Sequence, residues 1–207
     1  MTPPPRASFN RNRNFIHVNN PNHNSVNKDF ENKKFLKVMY GNLDSGLLNK
    51  KDEINCFIQE RDPDIMIFNE ILPKKHRKKK KLQLDSFNFD GFEKYLPSTL
   101  EGRGVVIYYK LDLSVSNVEV LSGFNFNESV WIRVKLKDAD SLLIGNIYRS
   151  PSSSKENNAK LLSLLSSAVG MKDSHFLVIG DFNYGTIDWE SMQSSESTDH
   201  CMFFIVC

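Results

Sequence analysis

Residues 176–183 are Phe176-Leu177-Val178-Ile179-Gly180-Asp181-Phe182-Asn183. The first four of them predict a fully buried strand, and the glycine that follows allows the backbone to turn. Asp181 and Asn183 then stand at the carboxyl end of this strand, which is where open α/β sheets carry their chemistry. The carboxylate could serve as a base or metal ligand and the amide could donate to an anion, but an ordinary Asx turn would place the same residues there without such a role.

The composition is that of one domain of moderate size. Of 207 residues, 40% are hydrophobic and 25% are charged, and the formal net charge is +2, so any attraction to nucleic acid must come from local clustering of charge. Three cysteines without metal-ligand spacing argue against a disulfide or zinc framework and for a reducing compartment. Because no apolar run has membrane-spanning length and no signal peptide is visible, we expect an intracellular protein without a membrane partner.

Three segments differ in composition. Residues 1–34 are rich in asparagine and poor in large apolar residues, so we expect a disordered leader. Residues 35–195 carry the apolar segments and turn residues of a single folded domain. Residues 196–207 form an atypical apolar tail.

Two earlier strands also end in polar residues. Residues 35–40 predict a strand that runs into Asn42 and Asp44, and residues 64–70 predict a second buried strand that ends on Glu70. An amphipathic helix lies between them. Strand, helix and strand within this length predict a right-handed parallel unit, which would bring all three polar side chains to the same edge of one sheet.

Five short β-rich segments in the middle of the chain predict hairpins of a second, largely antiparallel sheet. In the fourth of them, Trp131 is expected to pack in the core rather than to contact a ligand. The fifth runs into Tyr148 and Arg149, and a helix over residues 155–169 then leads to the strand quoted above. The five segments are residues 89–95, 104–110, 115–121, 130–136 and 142–148.

A basic run follows Glu70 closely. Residues 74–81 contain seven positive residues and one histidine in eight positions, which excludes them from a core. The run is a solvated loop, a phosphate-contacting loop beside the cleft, or a nuclear localisation signal that would make the nucleus a possible location. Its place after Glu70 favours a role near the substrate, with Lys78 and Lys79 as candidate phosphate-binding residues.

The polar residues at these strand ends offer hard oxygen ligands, without a cluster of histidines or thiolates. Such ligands suit Mg²⁺ or Mn²⁺ rather than zinc. A hard metal ion beside amide, phenol and basic groups suits hydrolysis of a phosphate ester, because the metal stabilises the oxyanion while a base orients water.

Taken in order, the motifs resemble the endonuclease/exonuclease/phosphatase superfamily. Its hallmarks are an early Asn-x-Asp, a metal-binding Glu that ends the next strand, a central Tyr or His, and Gly-Asp-x-Asn. Arg103-Gly104-Val105-Val106-Ile107-Tyr108 and Ile147-Tyr148-Arg149-Ser150-Pro151 are most similar to the endonuclease domain of non-LTR retrotransposons. The resemblance covers about residues 35–190 and implies an α/β fold, a four-layer sandwich of two mixed β-sheets flanked by helices.

The resemblance also implies divalent-metal-dependent hydrolysis of phosphodiester bonds, with DNA as the partner. By this resemblance Glu70 would bind the metal ion, Mg²⁺ or Mn²⁺, with Asp44 nearby. Asn42 and Asn183 would contact the phosphate or the metal ion.

The resemblance assigns the remaining roles to the second half of the chain. Asp181 would orient the attacking water, with Asn183 beside it in the catalytic group, and Tyr148 would donate a hydrogen bond to the scissile phosphate. Arg149 is an electrostatic candidate for phosphate binding.

One family segment has no counterpart at the expected place. The superfamily ends in a Ser-Asp-His segment several strands after Gly-Asp-x-Asn, whereas Thr198-Asp199-His200 follows Asn183 too soon for those strands and is better explained as a helix cap. We therefore expect a C-terminally truncated domain that lacks its last strands and is a weak or inactive endonuclease.

Two other functions remain open at this point. One is a lipid or inositol phosphate phosphoesterase of the same fold, since the basic run could meet anionic lipid as readily as DNA. The other is a non-catalytic remnant that binds nucleic acid through residues 74–81. The sequence leaves the oligomeric state unknown.

Overall fold

The fold is taken from a computed structural model. It describes residues 15–19, 35–44, 46–72, 87–97, 100, 102–118, 121, 123–184, 187–188 and 193–194. Three features of the sequence lie outside these residues: the basic run with Lys78 and Lys79, the segment Thr198-Asp199-His200, and the apolar tail 196–207.

The first sheet contains five described strands: β1 Phe15–Asn19, β2 Phe35–Asn42, β3 Ile65–Asn69, β4 Phe92–Tyr95 and β5 Val105–Lys110. Their order is β1-β2-β3-β5-β4. In this sheet only β2 and β3 are parallel; a 3-10 helix, Leu47–Lys50, and helix α1, Lys51–Arg61, connect them. This confirms the predicted strand, helix and strand unit.

Strand β1 falls within the segment that was expected to be a disordered leader. Its five residues pair antiparallel with β2, from Phe15 opposite Met39 to Asn19 opposite Phe35. These five residues give the edge of β2 a backbone partner, and the disordered leader over residues 1–34 stays a prediction. The rest of residues 1–34 lies outside the described chain.

The second sheet has four described strands: β6 Val115–Asn117, β7 Ser129–Lys135, β8 Ser141–Tyr148 and β9 His175–Asp181. Their order is β6-β7-β8-β9. Strands β6, β7 and β8 are antiparallel neighbours, while β8 and β9 are parallel. The predicted helix, α2 Lys155–Val169, joins β8 to β9. A separate short hairpin pairs β10, Ile187–Asp188, with β11, Gln193–Ser194.

The prediction that residues 89–95 and 104–110 belong to the second sheet is wrong. Strands β4 and β5 lie in the first sheet, where β5 pairs antiparallel with β3. The first four residues of β5, Val105 to Tyr108, are all buried, which suits an interior strand covered on both faces. A β-rich composition predicts strands but does not say which sheet they join.

Apolar side chains divide the domain into four layers, which confirms the predicted sandwich. The inter-sheet core packs Val38 and Ile67 of the first sheet with Ile132 and Ile144 of the second. Outside the first sheet, α1 packs on Met66, Phe68, Val106 and Tyr108 through Ile54, Phe57 and Ile58. Outside the second sheet, α2 packs on Leu143, Ile147 and Val178 through Leu161 and Leu164. No helix in the described ranges is long and apolar enough to cross a membrane.

Trp131 packs in the core, as the sequence predicted. Its side chain is 4% exposed and its ring stacks on Phe176 with centroids 6.2 Å apart. Gly145 lies opposite it in β8, and a Cβ there would stand 2.4 Å from the indole ring. The glycine in the middle of β8 therefore makes room for the tryptophan.

Two buried asparagines connect the sheets to each other. Asn69 of β3 donates to the Ile147 carbonyl of β8 at 2.9 Å, and Asn146 of β8 donates to the Phe68 and Val106 carbonyls at 3.0 and 3.1 Å. Both side chains are fully buried, so these bonds form away from water. We call this pair the inter-sheet amides; they fix the register of one sheet against the other.

We predict that Asn146→Leu lowers the free energy of unfolding by about 2 kcal/mol or more, because two buried carbonyls lose their donor at about 1–3 kcal/mol each. Urea unfolding followed by circular dichroism measures the change. Asn157→Leu is the control, since this half-buried amide donates to Ser153, four residues earlier in the chain, and a loss below about 1 kcal/mol is expected. Equal losses in the two variants would contradict a role for Asn146 in joining the sheets.

Candidate active site

The predicted polar residues meet at one end of the sandwich. Asn42 lies beside Asn69 in the parallel register of the first sheet, and Tyr148 lies beside Asp181 in that of the second. The Asn42 amide nitrogen donates to Asp181 Oδ2 at 2.9 Å and to Glu70 Oε1 at 3.4 Å. One amide thus holds two carboxylates that come from opposite sheets.

Glu70 follows β3 directly and is 5% exposed. Its backbone lies in the left-handed region, with φ of 54°, which is strained for a residue of this type. Besides the amide of Asn42, the guanidinium of Arg103 forms an ion pair with Glu70 Oε2. The carboxylate therefore already carries a cationic partner from its own chain.

Asp181 and Asn183 form the turn for which the sequence allowed two interpretations, a turn with a chemical role or an ordinary Asx turn. The Asn183 backbone N–H donates to Asp181 Oδ1 at 3.2 Å, which is an Asx turn, and Asn183 has a left-handed φ of 48°. The other carboxylate oxygen of Asp181 faces Asn42 at the site. The Asx turn is therefore present and orients Asp181 toward Asn42, while the catalytic role of this turn stays a prediction. The Asn183 side chain donates to the Arg149 carbonyl at 2.8 Å.

Gly180 allows this turn to approach the neighbouring strand. A Cβ at this position would stand 1.8 Å from the Ile147 carbonyl oxygen, the same oxygen that accepts from Asn69. Only glycine fits without moving β8. The glycine of Gly-Asp-x-Asn is thus required by the packing of β9 against β8.

Arg149 was predicted to bind phosphate; in the structure its guanidinium bonds to groups of the protein itself. The residue is 7% exposed, and its guanidinium donates to Asn158 Oδ1 at 2.9 Å and to the carbonyls of Phe182 and Asn183 at 3.3 and 3.1 Å. The guanidinium also lies 3.9 Å from the ring centroid of Tyr184. Arg149 therefore fixes the turn after β9, and its charge is directed to backbone carbonyls.

Two tyrosines lie beneath the carboxylates. Tyr148 is 1% exposed; burial is the main cause that raises its pKa to about 12, and the negative charges of Glu70 and Asp181 act in the same direction against Arg103. Burial likewise raises the pKa of Tyr40, whose hydroxyl accepts a hydrogen bond from Asn69 at 3.3 Å. Both phenols are therefore protonated at neutral pH and able to donate.

Asp44 lies at the rim of the site. It is exposed, its φ is 22°, and its backbone N–H donates to Asn42 Oδ1 at 3.1 Å. Its charge contributes to the raised pKa of Arg103, although the hydrogen bond from Arg103 to Glu70 is the largest cause of that shift. Asp44 therefore acts electrostatically on the group that pairs with Glu70.

The donor set fits a hard divalent cation better than a soft one. Glu70 and Asp181 offer carboxylate oxygens on either side of one amide, and Arg103 shows that a cation is accommodated at Glu70. Within the described part of the chain, no group of three or more His, Cys, Asp and Glu residues is arranged to hold a metal ion. The site thus offers carboxylates and amide groups rather than a complete set of acidic or histidine ligands.

Sequence reasoning missed three residues of this site. Tyr40 lies within β2, Arg103 precedes β5, and Glu128 accepts from the Arg103 backbone N–H through Oε1 at 2.9 Å. Arg103 stands in the stretch that resembles the retrotransposon endonucleases, which was the one available signal. Nothing in the local pattern around Glu128 indicates its partner 25 residues away.

The comparison with protein families identifies the class. The model of the Endonuclease/Exonuclease/phosphatase family matches residues 41–202, well over half of the chain. The chain therefore belongs to this family. No curated protein sequence matches it significantly.

Solved structures with the same fold include endonucleases and a 3′ phosphatase. The endonuclease domain of TRAS1, a telomere-specific non-LTR retrotransposon, superposes with a TM-score of 0.55 at 17% identity, over 80% of this chain and 67% of that one. The 3′ phosphatase NExo from Neisseria, bound to a product DNA hairpin, gives 0.50 at 15% identity over 74% and 60%. The AP endonuclease LMAP from Leishmania major gives 0.50 at 16% over 80% and 60%. The chain thus spans three fifths of the length of the latter two proteins.

We predict that Gly180→Ala lowers the free energy of unfolding by about 3 kcal/mol, because the added methyl group overlaps the Ile147 carbonyl. Chemical unfolding measures the loss. Gly170→Ala at the end of α2 is the control, since its Cβ would meet no atom closer than 3.4 Å and its φ is −74°. A Gly180 variant as stable as the Gly170 variant would show that β8 and β9 do not pack this closely.

We predict that Tyr148→Phe reduces the loss of stability at alkaline pH. The folded-state pKa of Tyr148 is about 12, above the ordinary value of 10.0. The neutral phenol therefore makes its full contribution to the free energy of unfolding below pH 10, and this contribution is lost as the pH rises through about 12. Phenylalanine cannot ionise, so the variant should show a shallower fall in the free energy of unfolding over this interval. Parallel slopes for the two proteins would contradict a raised pKa at Tyr148.

Proposed function

We propose that the chain is a weak endonuclease that hydrolyses phosphodiester bonds in DNA with the help of a divalent metal ion, Mg²⁺ or Mn²⁺. The observation that carries the proposal is the Asn42 amide, which donates to the carboxylates of Glu70 and Asp181 from opposite sheets. Membership of the endonuclease/exonuclease/phosphatase family supports hydrolysis of a phosphate ester. DNA as the substrate is supported by the basic run next to Glu70 and by the TRAS1 domain and the Neisseria phosphatase among the structures with this fold.

Each residue of the site has a role in this proposal. Glu70 holds the metal ion, with Asp44 at the rim, and the bound ion supplies Lewis-acid stabilisation of the developing charge on the phosphate. Asn42 keeps the two carboxylates in place through its amide group. Asp181, oriented by the Asx turn, accepts the proton of the attacking water.

The phosphate group would be bound from the opposite side by hydrogen-bond donors. Tyr148 keeps its proton at neutral pH because burial raises its pKa, so its hydroxyl can donate to a phosphate oxygen. Asn183 supports the turn through its bond to the Arg149 carbonyl. Lys78 and Lys79 would contact the DNA backbone, and this role rests on the sequence alone.

The first experiment measures nicking of supercoiled plasmid with Mg²⁺, with Mn²⁺ and with a chelator. We expect open-circle product only with a metal ion, and a rate about a hundredfold lower for Glu70→Gln, which loses the charge but keeps the shape. Glu93→Gln is the control, because this exposed glutamate lies in β4 and should leave the rate unchanged. Cleavage that survives the chelator or the Glu70 variant would contradict the proposed site.

The same preparation distinguishes the alternatives. Release of phosphate from phosphoinositide vesicles without plasmid nicking would replace the DNA assignment by a lipid phosphoesterase, and release from a 3′-phosphorylated DNA hairpin alone would indicate a phosphomonoesterase. DNA binding without any metal-dependent product, weakened when the lysines of residues 74–81 are neutralised, would indicate a non-catalytic binding protein.

A further inference from the structure

The side chain of Arg103 occupies the place beside Glu70 where the proposed function needs a metal ion. Its guanidinium is paired with Glu70 Oε2, while Asn42 donates to Oε1 of the same carboxylate. The side chain of Glu70 is only 7% exposed and that of Arg103 is 32% exposed. Arg103 therefore covers the carboxylate from the solvent side.

Arg103 also lies over Tyr148. The guanidinium carbon is 5.7 Å from the centroid of the phenol ring, and Tyr148 is only 1% exposed. One side chain thus contacts both the proposed metal ligand and the proposed phosphate donor. Movement of the guanidinium away from Glu70 would therefore also change the surroundings of the Tyr148 ring.

The backbone of Arg103 is fixed, so that its side chain is the part able to move. The Arg103 N–H donates to Glu128 Oε1 at 2.9 Å, and the Arg103 carbonyl accepts from the Leu72 N–H at 3.0 Å. Gly104 next to it has a φ of 76°, and a Cβ there would stand 2.8 Å from the side chains of Ile71 and Leu72. These contacts hold residues 103 and 104 against the segment that follows Glu70.

We propose that Arg103 acts as a stand-in cation at Glu70 and that a divalent ion must displace it to bind. The inference rests on the proposed function, in which Glu70 is a metal ligand. The two cations exclude each other because a guanidinium and a divalent ion on one nearly buried carboxylate repel each other where water screens them poorly. Displacement also takes the guanidinium away from the Tyr148 ring, so metal binding changes the surroundings of the proposed phosphate donor.

The main test measures Mn²⁺ affinity by electron paramagnetic resonance, which needs no DNA and no turnover. Removing the competitor in Arg103→Gln should tighten Mn²⁺ binding by about fivefold or more, the lower end of typical coupling between two binding events. If Arg103 only holds Glu70 in position, the Mn²⁺ affinity of Arg103→Gln should fall, because a misplaced Glu70 would bind Mn²⁺ more weakly. Unchanged or weaker binding by this variant would overturn the inference.

Arg133→Gln is the matched control. Arg133 pairs with Asp173 at 2.5 and 2.8 Å, and its side chain is 35% exposed against 4% for its partner, nearly the same situation as Arg103 with Glu70. Both variants should lower the melting temperature of the metal-free protein. Saturating Mn²⁺ should restore stability more in Arg103→Gln than in wild type, whereas Arg133→Gln should respond as wild type does. An equal response of the two variants would contradict the inference.

Wild-type protein provides a second measurement in case Arg103→Gln does not fold. The Arg103 Nε–Hε resonance, assigned by its loss in Arg103→Lys, should shift as Mg²⁺ is added and reach a plateau with the metal occupancy. A resonance that stays in place at saturating Mg²⁺ would overturn the inference. A different outcome would count against the proposed function itself. If Mn²⁺ binds to neither wild type nor Arg103→Gln, or binds to both equally well after Glu70→Gln is introduced, then Glu70 is not a metal ligand.

Discussion

The hydrogen bond from the Asn69 amide to the Ile147 carbonyl is the contact on which the site depends most. Asn69 directly precedes Glu70, and Ile147 directly precedes Tyr148. The same carbonyl lies so close to Gly180 that no side chain fits between them. One buried bond therefore fixes three strand ends at once: that of β3 with Glu70, that of β8 with Tyr148 and that of β9 with Asp181. Because the bond lies away from water, its loss would leave polar groups unpaired in the core.

Three residues of the site have strained backbone conformations, which the packing of the two sheets holds in place. Asp44, Glu70 and Asn183 all have positive φ values, between 22° and 54°, and each directly follows or closely follows the end of a strand. Residues in such conformations persist only where the surrounding structure fixes them, and here the inter-sheet amides and the Arg149 contacts do so. Among these residues, Glu70 places its carboxylate against the amide of Asn42. The Asx turn closed by the Asn183 N–H orients Asp181, whose other carboxylate oxygen accepts from the same amide. Arg103 or a bound cation then neutralises the negative charges of Glu70 and Asp181.

The family resemblance implied the four layers of the fold. The local pattern itself predicted that Asn42 and Glu70 meet at one edge, because parallel strands joined by a helix, such as β2 and β3, bring their carboxyl ends to one edge of a sheet. It could not assign β4 and β5 to a sheet, since apolar alternation is the same in either one. Strand β1 was missed because its pairing with β2 leaves no compositional signal.

The contacts that hold the site together were beyond sequence reasoning for a common reason. Asn69 and Asn146 stand inside strands and bond across the core to residues 78 positions away, so neither periodicity nor spacing reveals them. Arg149 was assigned to phosphate from its place after a strand, but the fold surrounds it with backbone carbonyls. Arg103 was known only as part of a family-like stretch, and its pairing with Glu70 depends on how β5 packs beside β3.

The most direct test of this account is a crystal of the wild-type protein soaked in Mn²⁺ and measured at the manganese absorption edge. The account predicts an anomalous peak within coordination distance of Glu70, with the Arg103 guanidinium moved off the carboxylate. A peak at another place, or an Arg103–Glu70 ion pair that persists beside a fully occupied manganese site, would contradict it.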